Sequence, residues 1–205
     1  MDDQLLLKGL IIGFSIAAPV GPIGILCIRR TLVYGQVSGL LSGLGAATAD
    51  AVYGSIAGFG LTFISVLLLS RQDSLKIVGG VFLCYLGIKT LLARPATGSE
   101  SPPKQNLFTA YLSTFFLTLT NPATILSFMA IFTGLGLAGG QNSYLSAMAL
   151  VTGVFAGSAL WWLTLSGGVA LFRKRFNARW LKWVNWVSGI IIGGFGLLIL
   201  LSLAI

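Results

Sequence analysis

The chain has 205 residues, of which 56% are hydrophobic and only 9% are charged, and its mean hydropathy is +0.92. Soluble domains carry about 25% charged residues, so this composition excludes a water-covered surface and predicts an integral membrane protein. The net charge of the chain is +8, which is typical of membrane proteins whose basic residues gather in cytoplasmic loops. We therefore expect the chain to contact the lipid bilayer and not nucleic acid.

Six apolar segments are long enough to cross a bilayer, because a spanning helix needs about 20 mostly apolar residues. They cover residues 5–28, 37–58, 74–92, 107–132, 143–171 and 181–204. The shorter apolar piece 61–69 is expected to extend the second segment or to lie at the interface. The sequence therefore predicts an all-α, polytopic fold with six transmembrane helices.

One polar stretch, ARPATGSESPPKQN at residues 93–106, cannot remain in hydrocarbon. It divides the chain into a first unit, 1–92, and a second unit, 107–205. Ten of the 13 Lys and Arg residues fall in loops one, three and five, among them Arg29, Arg30 and the basic run 173–183. Because basic loops stay in the cytoplasm, both termini are predicted to lie outside.

The first segment is interrupted by APVGP, residues 18–22, which places Pro19, Gly21 and Pro22 inside an apolar run. A proline costs about 3 kcal/mol in a helix interior, so we expect the first helix to be broken there. Pro122 interrupts the fourth segment after Asn121 and predicts a second break. The alternative is that these prolines only bend the helices for packing.

The two breaks occupy matching positions in an internal repeat. GPIGIL at 21–26 aligns with NPATIL at 121–126, with an offset of 100. An offset of 106 pairs SLKIV at 74–78 with WLKWV at 180–184, and Gly87 with Gly193, while an offset of 108 pairs Gly45 with Gly153. Each unit would hold three spans, so the second must enter the membrane from the opposite side. This predicts a 3+3 inverted repeat, in which paired interrupted helices indicate a midplane binding site.

Asp50 is the acidic residue well inside a predicted span. A charge there is costly, so such residues usually face the bundle interior and mark a transport route. A stripe of small residues at helical spacing supports an inward face: Gly39, Gly43, Ala47, Gly54 and Gly58. Asp50 is expected to bind a proton, a cation or a substrate ammonium, or alternatively to pair with Lys89 or Arg29. Its repeat counterpart is Ser158, which makes the site asymmetric.

Four further residues are candidates for binding substrate or ion. Asn121 and Gly21 stand at the two breaks, and Thr124 adds a hydroxyl. Asn121 would otherwise act only as a local cap. Tyr53 and the Trp161–Trp162 pair match through the offset of 108 and either line a pocket or face lipid.

Three stretches resemble the LysE/RhtB family of amino-acid exporters: APVGPIGILCIRRTLVYGQVSGLLSGLGAATADAVYG at 18–54, YLGIKTLL at 85–92 and TNPATILSFMAIF at 120–132. The family motif carries onto Pro19, Gly21, Pro22, Asp50, Asn121 and Pro122. This chain has Pro-Val-Gly-Pro where many relatives carry a compact Pro-Gly-Pro, and that difference does not fix the substrate.

The resemblance implies a secondary transporter of the prokaryotic inner membrane that exports amino acids or close analogues, driven by a proton or sodium gradient. The chain has no histidine and no phosphate-binding Gly-Lys-Ser motif, so we expect no catalytic residue, cofactor or bound metal. A homodimer is possible. Two alternatives are a divalent metal cation exporter and a membrane thiol-disulfide relay. The relay would need paired cysteines, but Cys27 matches Ser127 in the repeat.

Overall fold

The computed structural model describes residues 2–19, 21–60, 70–93, 105–135, 143–173 and 178–204, and all regular structure in these ranges is helical. This confirms the predicted all-α class for the described part of the chain. The helices are α1 (Asp2–Ala17), α2 (Pro22–Tyr34), α3 (Gln36–Gly58), α4 (Gln72–Leu91), α5 (Leu107–Leu119), α6 (Pro122–Gly134), α7 (Tyr144–Arg173) and α8 (Ala178–Leu201). The predicted piece 61–69 and most of the linker 93–106 lie outside the described residues.

Both predicted breaks occur where proline begins a new helix. The axes of α1 and α2 meet at 81°, and those of α5 and α6 at 60°. Pro22 and Pro122 stand in the first turns of α2 and α6, where a missing backbone N–H costs nothing because that donor has no intrahelical acceptor. Proline therefore ends one half-helix and starts the next.

Within the described residues, α4, α7 and α8 are each long and apolar enough to cross a membrane. The bent pairs α1–α2 and α5–α6 also meet this requirement when each pair is taken as one span. These are up to five candidate spans. The second predicted span, α3, is not among them, since it is rich in glycine and serine and carries Asp50. The count of six spans stays a prediction.

Glycines let the helices approach each other closely. The most extensive contact joins α1 to α7. There, a Cβ added to Gly13 would lie 2.9 Å from the Cα of Val154, and one added to Gly157 would lie 2.9 Å from the Cα of Leu10. In the contact between α4 and α8, a Cβ on Gly87 would lie 2.6 Å from the Cα of Gly193. Small residues thus hold both pairs together, as is common in membrane bundles.

The small-residue stripe of α3 packs within the chain. Gly43 lies against the side chain of Trp162, and Gly54 lies against Val154, both on α7. On its other side α3 contacts α5, where Gly45 faces the backbone of Tyr111. Helix α3 therefore lies between α5 and α7, with Asp50 buried on the α7 side.

The placement of Arg29 and Arg30 in a solvated first loop is wrong. Helix α2 continues to Tyr34, and both arginines are buried, with 5% and 4% of their surface exposed. Neutral polar groups from other helices replace water around them: Arg29 Nε donates to Asn185 Oδ1 at 2.8 Å.

Arg30 has three such bonds, to Ser42 Oγ at 2.8 Å, the Ala110 carbonyl at 2.9 Å and Ser113 Oγ at 2.8 Å. Arg173, at the end of α7, donates to the Leu32 carbonyl at 3.0 Å. These arginines fix the C-terminal end of α2 to α3, α5, α7 and α8.

Candidate functional site

A cavity of about 330 Å³ lies where the two broken helices meet. Its lining includes Pro19, Gly21 and Pro22 from the first break and Asn121 and Pro122 from the second. Asp50 of α3 and Trp162 of α7 add polar groups to the wall, and Phe195 and Ile199 of α8 add apolar surface. The two breaks that are far apart in sequence therefore contribute to one cavity.

Asp50 contacts Ser158, the residue that the predicted repeat pairs with it. Its side chain is 3% exposed, and Ser158 Oγ donates to Asp50 Oδ2 at 2.7 Å. The basic partners considered from sequence are engaged elsewhere, since Arg29 donates to Asn185 and the ammonium of Lys89 lies 5.7 Å from the ring centre of Tyr85. Among the described residues, Asp50 is thus held by a neutral hydroxyl and borders the cavity.

The two half-helices that start at the cavity have different N-termini. Asn121 caps α6, because its side-chain oxygen accepts from the Ala123 N–H at 3.1 Å. Gly21 occupies the same position before α2 and provides no side-chain cap. The first N–H groups of a helix have no intrahelical acceptor and carry partial positive charge. The N-terminus of α2 is therefore the more electropositive end in the cavity wall.

Tyr53 does not line the cavity, contrary to the sequence-based expectation. Its hydroxyl donates to the Leu119 carbonyl at 2.6 Å, and its ring packs on Phe128 with a centroid distance of 5.4 Å. The chain break at Pro122 explains this position: the Ala123 N–H bonds to the cap at Asn121, which leaves the Leu119 carbonyl without its helical donor. Thr124 lies in the lining as expected, together with Thr118 and Ser127.

Of the Trp161–Trp162 pair, which was expected either to line a pocket or to face lipid, Trp162 is the residue that lines the cavity. The repeat paired Tyr53 with Trp161, but Trp161 packs edge-on against Phe14 with ring centres 5.4 Å apart. Trp162 is 5% exposed and lines the cavity. The sequence could have distinguished Trp162 from Trp161, because Trp162 follows Ser158 by four residues and side chains at that spacing share a helix face.

The arrangement combines one carboxylate, one uncapped helix N-terminus, several hydroxyls and apolar walls. Such a cavity suits a small ligand with a positive group near Asp50 and a negative or polar group near α2. In the described ranges, no group of three His, Cys, Asp or Glu side chains comes together that would hold a metal ion.

Membrane-crossing helices, two of them broken at a shared internal cavity, define a polytopic membrane transport protein. The family profile of the LysE type translocator matches residues 14–203, which is most of the chain. The chain therefore belongs to the LysE-type translocator family, and the resemblance read from its motifs is confirmed.

Individual relatives are similar at modest identity. YcgF of Bacillus subtilis strain 168, which is provisionally described as an amino acid efflux protein, is 27% identical over 198 residues, covering 94% of this chain and 93% of its own. YrhP of the same organism, an uncharacterised membrane protein, is 29% identical and covers 84% and 87%. The threonine efflux protein of Escherichia coli K12 is 24% identical and covers 78% and 79%. The search of solved structures gave no match.

Proposed function

We propose that this protein is a secondary transporter that exports amino acids or close analogues across the prokaryotic inner membrane, driven by a proton or sodium gradient. The observation that carries the proposal is the buried carboxylate of Asp50 at a cavity between two broken helices. Intramembrane acids at such positions typically bind a proton, a cation or a charged substrate group. The efflux descriptions of YcgF and the threonine efflux protein support the direction of transport and the substrate class.

We further propose that residues 1–92 and 107–205 are the two halves of an inverted repeat, joined by a cytoplasmic linker at 93–106. In such a repeat, a residue on the twofold axis contacts its own counterpart. Asp50 contacts Ser158, and Gly87 approaches Gly193. Gly45 packs on α5 as Gly153 packs on α1, which supports equivalent roles for α3 and α7. Both termini would then lie on the outer side of the membrane.

In this proposal Asp50 binds either the coupling cation or the substrate ammonium. Gly21 and Asn121 place the half-helix ends beside it, and Thr124 offers a hydroxyl. Pro19, Pro22 and Pro122 create the breaks that expose these backbone groups. Tyr53 acts indirectly, by holding the end of α5.

Transport by purified protein in proteoliposomes tests the role of Asp50. We expect amino-acid uptake or release that depends on an imposed proton or sodium gradient, and we expect Asp50→Asn to abolish this dependence. Asp73→Asn is the matched control, because Asp73 pairs with Lys76 at the protein surface. Normal gradient-coupled transport by Asp50→Asn would rule out the proposed role.

Export profiling identifies the substrate. Cells that express the protein are fed dipeptides, and the amino acids that accumulate outside are measured over time. We expect one amino acid, or a small group of similar ones, to accumulate faster than in cells expressing Asp50→Asn. Equal profiles in the two strains would argue against amino-acid export, and metal-sensitivity assays in a strain lacking its own efflux pumps would then test metal export.

A further inference from the structure

We infer that the cavity binds a neutral α-amino acid as a zwitterion, with its ammonium on Asp50 and its carboxylate on the uncapped N-terminus of α2 and the indole N–H of Trp162. This inference rests on the proposed function and names the substrate class of the same site. It adds Trp162 and the first backbone N–H groups of α2 as binding groups.

The first observation is the difference between the two half-helix starts. At α6, the Asn121 side chain satisfies a first-turn N–H. At α2, Gly21 has no side-chain oxygen, and the first-turn residues Ile23 and Gly24 both line the cavity. Backbone N–H groups at a helix N-terminus bind carboxylates and phosphates because they are unpaired donors at the positive end of the helix. The first-turn N–H groups of α2 therefore lack a side-chain cap, whereas Asn121 caps α6.

The second observation is a buried donor without an acceptor. Within the described part of the chain, Trp162 Nε1 is the buried side-chain nitrogen or oxygen atom that has no hydrogen-bond partner. Tryptophan N–H groups usually find an acceptor when buried, because an unsatisfied donor loses its hydration without compensation. Trp162 also lines the cavity that contains the free end of α2. A ligand carboxylate that reaches the indole edge of Trp162 from that cavity would provide the missing acceptor.

The positions of these groups match the shape of an α-amino acid. Ser158 contacts the Asp50 carboxylate, and Trp162 lies one helical turn further along the same face of α7. The residue that contacts the carboxylate and the residue that carries the indole donor are therefore about one turn, or about 5.4 Å, apart along α7. An α-amino acid has its ammonium and carboxylate on a single carbon atom, and so can reach both.

The number of carboxylates limits the substrate charge. The chain has five acidic residues, Asp2, Asp3, Asp50, Asp73 and Glu100. Of the acidic side chains that the structure describes, Asp50 is the one that lines the cavity. A lysine or arginine substrate would bring a second positive charge after Asp50 had bound the ammonium. An unpaired charge inside the membrane is unfavourable by several kcal/mol, which favours a substrate with an uncharged side chain.

The decisive variant is Gly21→Asn, which gives α2 the same cap that Asn121 gives α6. The site accepts a side chain, because the φ angle of Gly21 is −97° and a Cβ there would meet nothing within 4 Å. Binding is measured on the purified full-length protein in detergent with each common L-amino acid, and with the amino alcohol of the tightest neutral binder, which lacks the carboxylate. We expect Gly21→Asn to lower affinity for the amino acid by about tenfold or more, with no loss for the amino alcohol.

Gly21→Ala adds a Cβ but no capping oxygen, so its loss of affinity should be much smaller than that of Gly21→Asn. Trp162→Phe retains most of the ring and removes the N–H, and we expect the same selective loss of amino-acid affinity. Trp161→Phe is its control, since Trp161 packs on Phe14 instead. Thermal unfolding of each variant shows whether it is folded.

The outcomes separate the inference from the proposed function. If the wild-type protein binds and transports amino acids but Gly21→Asn and Trp162→Phe bind them as tightly as it does, the carboxylate site is overturned. Equal losses for the amino acid and the amino alcohol would also overturn it, because they would indicate a packing effect. Binding of lysine as tight as that of the best neutral amino acid would overturn the substrate class. If the wild-type protein binds no amino acid, the proposed function fails as well.

Discussion

The hydroxyl of Ser158 is the described protein group that hydrogen-bonds the Asp50 carboxylate. Both side chains are almost completely buried, so the bond is shielded from water and from salt. A hydrogen bond to a charged group contributes about 1.5–3 kcal/mol. Ser158 thereby fixes the direction of the carboxylate without neutralising it, which leaves Asp50 able to bind a cation.

Removing this donor should weaken transport without abolishing it. We expect Ser158→Ala to lower gradient-driven transport by about tenfold, because one charge-assisted hydrogen bond is lost while the carboxylate remains. Proteoliposome transport rates measure the effect. Ser166→Ala is the control, since Ser166 is also buried on α7 but bonds to the Leu163 carbonyl of its own helix. Wild-type rates in Ser158→Ala would show that Asp50 needs no such partner.

At the scale of the helices, the α1–α7 contact has the strictest steric requirement. Gly9 of α1 faces Gly153 of α7, while Gly13 lies against the backbone of Val154 and Gly157 against that of Leu10. The backbones approach so closely at these points that no Cβ fits between them. Other glycines of α7 are different, since a Cβ at Gly168 would meet nothing within 4 Å. Glycine itself disfavours a helix by about 0.5–1 kcal/mol relative to alanine, so the close contact must compensate for this cost.

This contrast gives a stability prediction with an internal control. Gly157→Ala should destabilise the protein by about 1–3 kcal/mol, because the added methyl group forces α1 and α7 apart. Gly168→Ala should be neutral or slightly stabilising, since it removes a helix-interior glycine where space is open. Thermal unfolding of both variants in the same detergent provides the comparison. A Gly157→Ala variant as stable as Gly168→Ala would contradict the observed packing.

For the whole molecule, the sequence predicted the features that depend on composition and local chemistry. Apolar length predicted the helices, and Pro22 and Pro122 predicted the breaks because proline acts on its own turn. The internal repeat also paired Asp50 with Ser158, which are in contact. That pairing came from comparing two distant segments of the sequence, which no single segment could have indicated by itself.

Other features depend on partners that are distant in the sequence. Arg29 and Arg30 follow an apolar segment and looked like loop residues, but they are buried because Asn185 and Ser113, 156 and 83 residues away, receive their hydrogen bonds. Tyr53 does not line the cavity, and its hydroxyl instead donates to the Leu119 carbonyl of α5, 66 residues away in the sequence. The unpaired N–H of Trp162 is a property of its complete surroundings, and no local pattern predicts it.

The proposed orientation is testable with single cysteines. Cys27 and Cys84 are first replaced by alanine, and export should persist in this background, since a thiol relay is not the proposed mechanism. Asp73→Cys should then react with a membrane-impermeant maleimide in intact cells, because α4 begins on the outer side in the proposed topology. Leu92→Cys, which is highly exposed at the other end of α4, should react only after the cells are opened. The reverse pattern would invert the topology.

The contact between Asp50 and Ser158 also has an electrical consequence. In the proposed repeat, this pair lies on the twofold axis, and points on that axis keep their depth when the two halves exchange conformations. Moving one elementary charge through the full membrane potential changes the energy by about 2.3 kcal/mol per 100 mV. An acid that stays at constant depth avoids most of this work, so the voltage acts on the ions that pass it and not on the protein's own carboxylate.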